Sequence, residues 1–250
     1  MTPFLTQLRA DLPILQSLLF KPLRGTTHAE RLENFYGPQA ASYDNFRDRL
    51  LWGRKELFAE AAARIEPGSV VVDMGAGTGR NIEFLKQAGC AWSEIHLVDL
   101  SPSLLSVAKD RASKQGWQGA HYHLTDARTF ELSAGRKADL VTFSYSLTMI
   151  PDWFSALEQA VRIVKPGGWI GVVDFFLPRK FPDADQPSTS ALARTFWQHW
   201  FALDNVFLSP DHLPYLQSRL KEVVPVFGRQ KIPYLPFLKP AHYRLLGQVR

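Results

Sequence analysis

An apolar run that ends at an acid and continues directly into three alternate glycines constrains this chain more than any other feature. Val70–Val72 precede Asp73, and Gly75, Gly77 and Gly79 follow. Glycine lacks a Cβ atom, so its backbone adopts dihedral angles closed to other residues and approaches a ligand closely. The residues after the last glycine have a helical pattern, and the first N–H groups of such a helix would face that ligand. The pattern predicts a strand followed by a ligand-binding loop.

Apolar runs alternate with helical patterns from about residue 69 onwards. Such alternation indicates βαβ units and a parallel sheet covered on both faces. We predict strands at 69–73, 94–99, 120–124, 138–144, 168–174, 223–230 and 243–249, and helices at 29–43, 47–65, 79–88, 102–115 and 153–164. Lys165–Gly168 reads as a helix stop followed by a turn, and the prolines of residues 233–240 exclude regular structure there.

The chain is expected to divide into an amino-terminal part and a core. Residues 1–66 form a helical lid or membrane-proximal segment, and residues 67–250 form the core, which carries an aromatic insertion at about 175–215. The first 23 residues have an apolar helical face that is too interrupted by charge to span a bilayer. Two interpretations remain for them, a lid packed on the domain or a segment lying in a membrane surface.

Composition limits the compartment and the partners. The single cysteine, Cys90, excludes an internal disulfide and a multi-cysteine zinc site, which fits a cytoplasmic protein. A net charge of +5 favours an anionic partner such as a phospholipid surface, although a basic surface without a partner is the alternative. The basic residues form no dense run, so we expect no nucleic-acid partner. The sequence leaves the oligomeric state open.

Polar residues follow several predicted strands where each strand ends. Asp99 ends the second, Asp126 follows the third, and Ser144 follows the fourth. Ligands bind at the carboxyl ends of the strands in open α/β sheets, and an acid at the end of the second strand is placed to accept hydrogen bonds from ribose hydroxyls. The glycines are spaced G-x-G-x-G, unlike a dinucleotide loop. Asp73 would repel a pyrophosphate and attract a cofactor that has an amino group.

With this loop, Asp99, Asp126 and Lys165–Gly168, the chain resembles the class I S-adenosylmethionine-dependent methyltransferases over about residues 30–175. The resemblance implies an α/β fold with a Rossmann-like, mostly parallel sheet, an antiparallel last strand, N-terminal helices and a helical insertion. It implies S-adenosylmethionine as cofactor, with these contacts: Tyr43 over the cofactor, Arg54 at its carboxylate, Asp73, Gly75, Ala76 and Gly77 at its amino-acid end, Asp99 and Leu100 at the ribose, Asp126 and Ala127 at the adenine, and Ser144 or Tyr145 beside the sulfonium.

The carboxyl-terminal third bears on the methyl acceptor. Residues 197–206 and 232–239 resemble the methyltransferases of betaine-lipid synthesis, which implies three N-methylations of diacylglycerylhomoserine at an anionic membrane surface. Aromatic faces stabilise a developing ammonium, so candidates for the acceptor wall are Tyr145, Trp153, Trp197, His199, Trp200 and Tyr234, of which Tyr145, His199 and Tyr234 are the catalytic candidates.

Other functions remain as alternatives. Phosphatidylethanolamine or a quinone precursor would also suit an aromatic insertion, and a non-catalytic relative that binds lipid is a candidate of another class. An NAD-linked dehydrogenase is disfavoured by the glycine spacing. His121 and His123 share one face of a predicted strand, but no third ligand stands at a useful spacing, so we expect no metal site.

Overall fold

The computed structural model describes residues 25–38, 43–183, 186–235 and 237–250. The amino-terminal segment 1–23, predicted to be a lid or an interfacial helix, lies outside the described residues. None of the helices in the described ranges is long and apolar enough to cross a membrane.

One mixed sheet forms the centre of the molecule. Its strands within the described residues are β1 (Ser69–Met74), β2 (Trp92–Asp99), β3 (Ala120–Leu124), β4 (Ala138–Ser144), β5 (Val164–Phe175), β6 (Leu220–Lys221), β7 (Val226–Arg229) and β8 (Ala241–Val249). Their order is β3-β2-β1-β4-β5-β8-β6, with β7 also paired to β8. The first five strands are mutually parallel, and β8 runs antiparallel to β5. The predicted fold class is confirmed.

The valine run of β1 is buried because both faces of the sheet are covered. Val72 belongs to an apolar cluster on one face, with Val98 and Val141, while Val71 belongs to the cluster on the other face, with Leu97. All five side chains are fully buried. Successive side chains of a strand point to opposite faces, so a nearly continuous apolar run is needed where both faces are packed.

Helices pack on both faces of the sheet. They are α1 (His28–Tyr36), α2 (Tyr43–Leu50), α3 (Arg54–Ala62), α4 (Arg80–Gln87), α5 (Pro102–Gln115), α6 (Trp153–Ile163), α7 (Ala191–Ala202) and α8 (His212–Arg219), within the described ranges. Helix α1 begins with a capping box in which Thr27 and Glu30 accept each other's backbone N–H groups. Helix α5 begins with Ser101 as N-cap and a proline in its first turn.

Several predicted boundaries are corrected. The helix predicted at 47–65 is two helices, because Gly53 adopts a positive φ of 79° between α2 and α3. Lys165–Gly168 lies inside β5, whose pairing with β4 shifts register there. The strand predicted at 223–230 is reduced to β7, and the short strand β6 precedes it. Helix α8 had no sequence prediction.

The aromatic insertion packs its helix α7 on the sheet. The Phe201 ring lies 4.5 Å from that of Phe175, which in turn lies 4.8 Å from the Tyr145 ring, measured between centroids. Phe207 donates its backbone N–H to the carbonyl of Thr148 at 2.7 Å. The insertion therefore lies directly beside the loop that follows β4.

Candidate active site

A cleft of about 1030 Å³, partly open to solvent, lies at the carboxyl ends of β1, β2, β3 and β4. Its wall includes the glycine loop and the residues after each of these strands. From the amino-terminal helices and their connections come His28, Leu32, Tyr36, Asp44, Leu51 and Arg54; from the β1 loop Gly75, Ala76, Gly77, Thr78, Arg80 and Asn81; from the β2 end Val98, Asp99, Leu100 and Leu104; from the β3 and β4 loops Thr125, Asp126, Ala127, Arg128, Ser144, Tyr145, Ser146, Met149, Ile150 and Pro151.

The first glycine of the loop is required by close packing. Gly75 has a φ of 76°, and a Cβ atom added to it would lie 2.4 Å from the Cβ atom of Ser146. Ser146 is itself fixed there, since its Oγ donates a hydrogen bond to the Met74 carbonyl at 2.7 Å. A side chain at position 75 would therefore push the β4 loop away from the β1 loop.

Asp99 organises the glycine loop and faces the cleft at the same time. Its carboxylate accepts hydrogen bonds from the backbone N–H of Gly77 and of Ser101, each at 2.8 Å. Burial raises the pKa of this carboxyl, against the effect of those hydrogen bonds. Each carboxylate oxygen offers more than one acceptor site, so two ribose hydroxyls can still be accommodated. Leu100 adds an apolar contact next to it on the wall.

The predicted contact between Asp73 and the cofactor is corrected by the structure. Asp73 is fully buried and lies behind the cleft wall. Its carboxylate accepts hydrogen bonds from Asn81 Nδ2 at 3.0 Å and Thr142 Oγ1 at 2.7 Å. Asn81 does line the cleft, and its Oδ1 accepts a bond from Ser144 Oγ at 3.2 Å. Asp73 therefore acts through Asn81, as a positioning residue, and burial raises its pKa to about 6.

Two arginines approach the cleft beside the glycine loop. Arg54 and Arg80 both bind the carboxylate of Asp48, with N–O distances of 2.6 and 2.8 Å, and both guanidinium groups lie over the Phe84 ring. Arg54, a predicted ligand of the cofactor carboxylate, is 6% exposed and is held at the cleft wall. Arg80 was missed because a basic residue in the first turn of a helix carries no specific sequence signal.

The adenine end of the predicted site contains an ion pair. Asp126 accepts hydrogen bonds from the Arg128 side chain at 2.7 and 3.0 Å. Burial acts to raise the pKa of Asp126, but the bonds from Arg128 outweigh it, and the net pKa is lowered. His28 lies close enough to interact electrostatically with both, and burial lowers its pKa. Ala127 gives this end an apolar surface.

Helix α1 lies within the segment 1–66 that was predicted to be a helical lid or membrane-proximal segment, and it contributes His28, Leu32 and Tyr36 to the cleft wall. Tyr36 packs on Leu104 of α5, and its hydroxyl lies 3.8 Å from the sulfur of Met149. Glu33 fixes the helix by accepting hydrogen bonds from the hydroxyls of Ser101 and Ser103. Tyr43 begins α2, and the prediction that its ring covers the cofactor concerns a side chain outside the described residues.

The three predicted catalytic residues are not brought together. Tyr145 is on the cleft wall, but its hydroxyl donates to the Trp52 carbonyl at 2.7 Å, and burial raises its pKa well above 10. Its hydroxyl therefore stays protonated and cannot act as a base, so Tyr145 shapes the wall of the cleft. His199 lies on the exposed side of α7, its Nδ1 2.8 Å from the Thr195 carbonyl, and Tyr234 lies near Arg49. The cleft wall in the described part of the chain includes neither His199 nor Tyr234.

The donor and acceptor set of the cleft fits S-adenosylmethionine. A carboxylate faces the ribose position, apolar side chains and an aspartate surround the adenine position, and Arg54 lies beside the loop for a carboxylate. His28 Nδ1 is buried without a hydrogen-bond partner in the described structure, which leaves a polar atom on the wall for a ligand. When bound, this cofactor supplies an electrophilic methyl group.

Comparison with known proteins agrees with this geometry. Residues 71–168 match the family described as methyltransferase domain. The ubiquinone/menaquinone biosynthesis C-methyltransferase UbiE of Hydrogenovibrio crunogenus is 30% identical over 151 residues, 58% of this chain, which spans 59% of that relative's length.

Two solved structures share the fold. The N-methyltransferase NodS of Bradyrhizobium japonicum, in complex with S-adenosylhomocysteine, has 15% identity and a TM-score of 0.63, covering 87% of this chain and 97% of its own. The Haemonchus contortus phosphoethanolamine N-methyltransferase 2, in complex with S-adenosylmethionine, has 13% identity and a TM-score of 0.67, covering 90% and 60%. Over residues 71–168 and in its fold, this chain is therefore similar to the class I S-adenosylmethionine-dependent methyltransferases, and its cleft fits their cofactor.

Proposed function

We propose that this protein methylates the amine of a lipid headgroup, diacylglycerylhomoserine, three times in succession to give the betaine lipid diacylglyceryl-trimethylhomoserine. The proposal starts from the resemblance of residues 197–206 and 232–239 to the methyltransferases of betaine-lipid synthesis. The observation that carries it is a concentration of exposed apolar side chains in the insertion and in the segment before β8.

Exposed large apolar side chains concentrate in one part of the chain. Of eleven such residues among those described, nine lie between positions 181 and 237: Phe181, Leu192, Phe196, Leu203, Phe207, Val224, Val226, Leu235 and Phe237. Phe181 is 82% exposed and Phe237 is 94% exposed. Concentrated exposed apolar side chains mark interaction sites, and nearby basic residues such as Lys180 and Lys239 favour an anionic lipid surface. This supports an acceptor that is presented by a membrane.

A charged pair beside α1 supports an amino-acid headgroup. The Arg47 guanidinium lies 6.0 Å from the ring centroid of Tyr36, which lines the cleft. Burial raises the pKa of Asp204, at the end of the insertion helix, to about 6, against the positive charge of Arg47. Asn205 next to it has a buried Nδ2 without a hydrogen-bond partner in the described structure. A headgroup with an ammonium and a carboxylate complements this set.

The chemistry requires alignment rather than a protein nucleophile. When bound, S-adenosylmethionine would supply the methyl group to the neutral amine, and the proton carried by each of the first two products would pass to water before the next transfer. The chain's own task is to hold acceptor and methyl in line and to exclude water, for which α1, Tyr145 and Met149 close the cleft.

A quinone precursor is the second candidate acceptor. It is favoured by the likeness to UbiE proteins, which are C-methyltransferases of ubiquinone and menaquinone biosynthesis. A quinone precursor is apolar and would use the same exposed surface, but it carries neither an ammonium nor a carboxylate for Asp204 and Arg47.

The deciding experiment presents each acceptor in vesicles with radiolabelled S-adenosylmethionine. Diacylglycerylhomoserine, phosphatidylethanolamine and a demethylated quinol are supplied separately, and products are identified by mass spectrometry. We expect mono-, di- and trimethylated homoserine lipid only. Label in the quinol alone would overturn the lipid-amine proposal in favour of the second candidate.

A matched pair of variants tests the headgroup argument. Asp204→Asn removes the buried charge, and we expect at least a tenfold loss of kcat/KM for the amine lipid, since a hydrogen bond to a charged group contributes roughly 1.5 to 3 kcal/mol. Asp110→Asn alters an exposed aspartate of α5 and serves as the control. An equal effect of the two substitutions would remove Asp204 from the acceptor site.

A further inference from the structure

Four potential metal ligands converge on one face of the sheet edge formed by β2 and β3. His96 of β2 is the register partner of His121 of β3. Glu94 stands two residues before His96, and His123 two residues after His121, so the alternation of strand side chains puts all four on the same face. The sequence suggested only the two histidines of β3, because the partners on β2 are 25 or more positions away in the chain.

The distances within the cluster are those of interacting groups. His96 Nε2 lies 3.1 Å from Glu94 Oε2, and His121 Nε2 lies 3.9 Å from the same oxygen. The three ligand atoms all lie within 4.8 Å of one another. His123 Nε2 lies 3.0 Å from the other ring nitrogen of His96, and the His96 ring stacks on both neighbours at 4.8 and 5.2 Å.

We propose that Glu94, His96 and His121 form a binding site for one divalent transition-metal ion of the zinc class. Imidazole and carboxylate are ordinary ligands of zinc, and bond lengths of about 2.0 to 2.1 Å put donor atoms of a tetrahedral site about 3.3 Å apart. The observed separations bracket that value. His123 holds the second nitrogen of His96, as hydrogen-bond partners outside the coordination sphere do for metal-bound histidines.

Access and charge are compatible with the site. The His121 side chain is 48% exposed, which gives an ion a path from solvent, whereas His96 is only 4% exposed. Arg136 donates hydrogen bonds to both oxygens of Glu94 and is the cation there now. Its side chain is 43% exposed, so it can leave towards solvent at small cost when a metal binds.

Occupancy would tie the edge strand β3 to β2 near the middle of β2 and the amino end of β3, away from the carboxyl ends that precede the cleft. A ligand that binds only the folded state stabilises it by mass action. The site is separate from the proposed methyl transfer, which needs no metal in the scheme above, so its existence is tested independently of the acceptor.

The test uses the untagged 250-residue chain, stripped with EDTA, and ZnCl₂ as the probe. We expect one saturable site by calorimetric titration and a rise in Tm of roughly 5 to 10 °C at a hundredfold excess over Kd. His121→Gln is expected to weaken zinc binding at least tenfold, whereas the matched control His199→Gln, an exposed histidine of α7, leaves it unchanged.

Arg136→Gln supplies a second, opposite readout. Removing the competing cation is expected to tighten zinc binding severalfold without loss of folding, because the substituted side chain lies at the surface. Absence of saturable binding to the unmodified chain, or equal affinity in His121→Gln and the unmodified chain, would overturn the proposal.

Discussion

Replacing Asp99 by alanine is expected to weaken S-adenosylmethionine binding at least tenfold. The carboxylate already holds the Gly77 and Ser101 N–H groups at 2.8 Å and faces the cleft with acceptor sites for two ribose hydroxyls. Each charge-assisted hydrogen bond contributes roughly 1.5 to 3 kcal/mol, and about 1.4 kcal/mol corresponds to a factor of ten. One lost bond therefore suffices for the lower limit.

The substitution also removes the acceptor for the glycine loop, so the ribose contribution must be separated from the loop contribution. A cofactor analogue that lacks the ribose 2′-hydroxyl provides the second arm of a double-mutant cycle. We expect the analogue to bind the unmodified protein at least tenfold more weakly than S-adenosylmethionine does, and Asp99→Ala to bind both ligands alike.

The assay is isothermal titration, with circular dichroism to establish that the variant is folded and Asp110→Ala as the control on an exposed aspartate. If a folded Asp99→Ala protein binds S-adenosylmethionine as tightly as the unmodified chain, Asp99 is not in the site. If the analogue binds more weakly than S-adenosylmethionine by the same factor in the unmodified chain and in Asp99→Ala, Asp99 supports the loop and does not contact the ribose.

Three further predictions concern the glycine loop, the buried acid and the lid. Gly75→Ala should abolish cofactor binding and lower Tm, and Ser146→Gly in the same chain should recover part of the Tm because the 2.4 Å clash is removed; additive effects on Tm would contradict this. Asp73→Asn, which stays neutral, should gain stability relative to the unmodified chain as pH rises from 4 to 6. The fold raises the pKa of the Asp73 carboxyl from 3.8 to about 6. The free energy of unfolding of the unmodified chain should therefore be highest at low pH and fall by up to about 3 kcal/mol as pH rises above 6. A difference in free energy of unfolding between the two proteins that does not change with pH, measured by urea unfolding, would refute this prediction. Glu33→Ala should speed dissociation of S-adenosylhomocysteine severalfold in stopped flow, with little change in Tm, because it frees α1 from α5; an unchanged rate would mean that α1 does not limit release.

The strand ends were predictable because their signals are local. Asp99 ends β2 and the glycines follow β1, as the alternation indicated. A loop that needs positive φ angles at several positions requires glycine at those positions, so the loop is visible in the sequence. The helices before the core were less predictable. Their break at Gly53 depends on a single residue, and the position of α1 over the cleft depends on Glu33 meeting serines about 70 positions later.

The sequence alone indicated the fold class, a cofactor of the S-adenosylmethionine type and the edge of the sheet where it would bind, because the strand and loop signals for all three lie close together in the chain. Only the tertiary structure decided which acids line the cleft and which lie behind its wall. Asp73 looks like a ligand in the sequence, yet strand β4 beside it supplies Thr142 and burial removes it from the cleft. The Glu94–His96–His121 cluster likewise depends on β2 and β3 being neighbours, because strand pairing brings together side chains that no spacing along the chain relates.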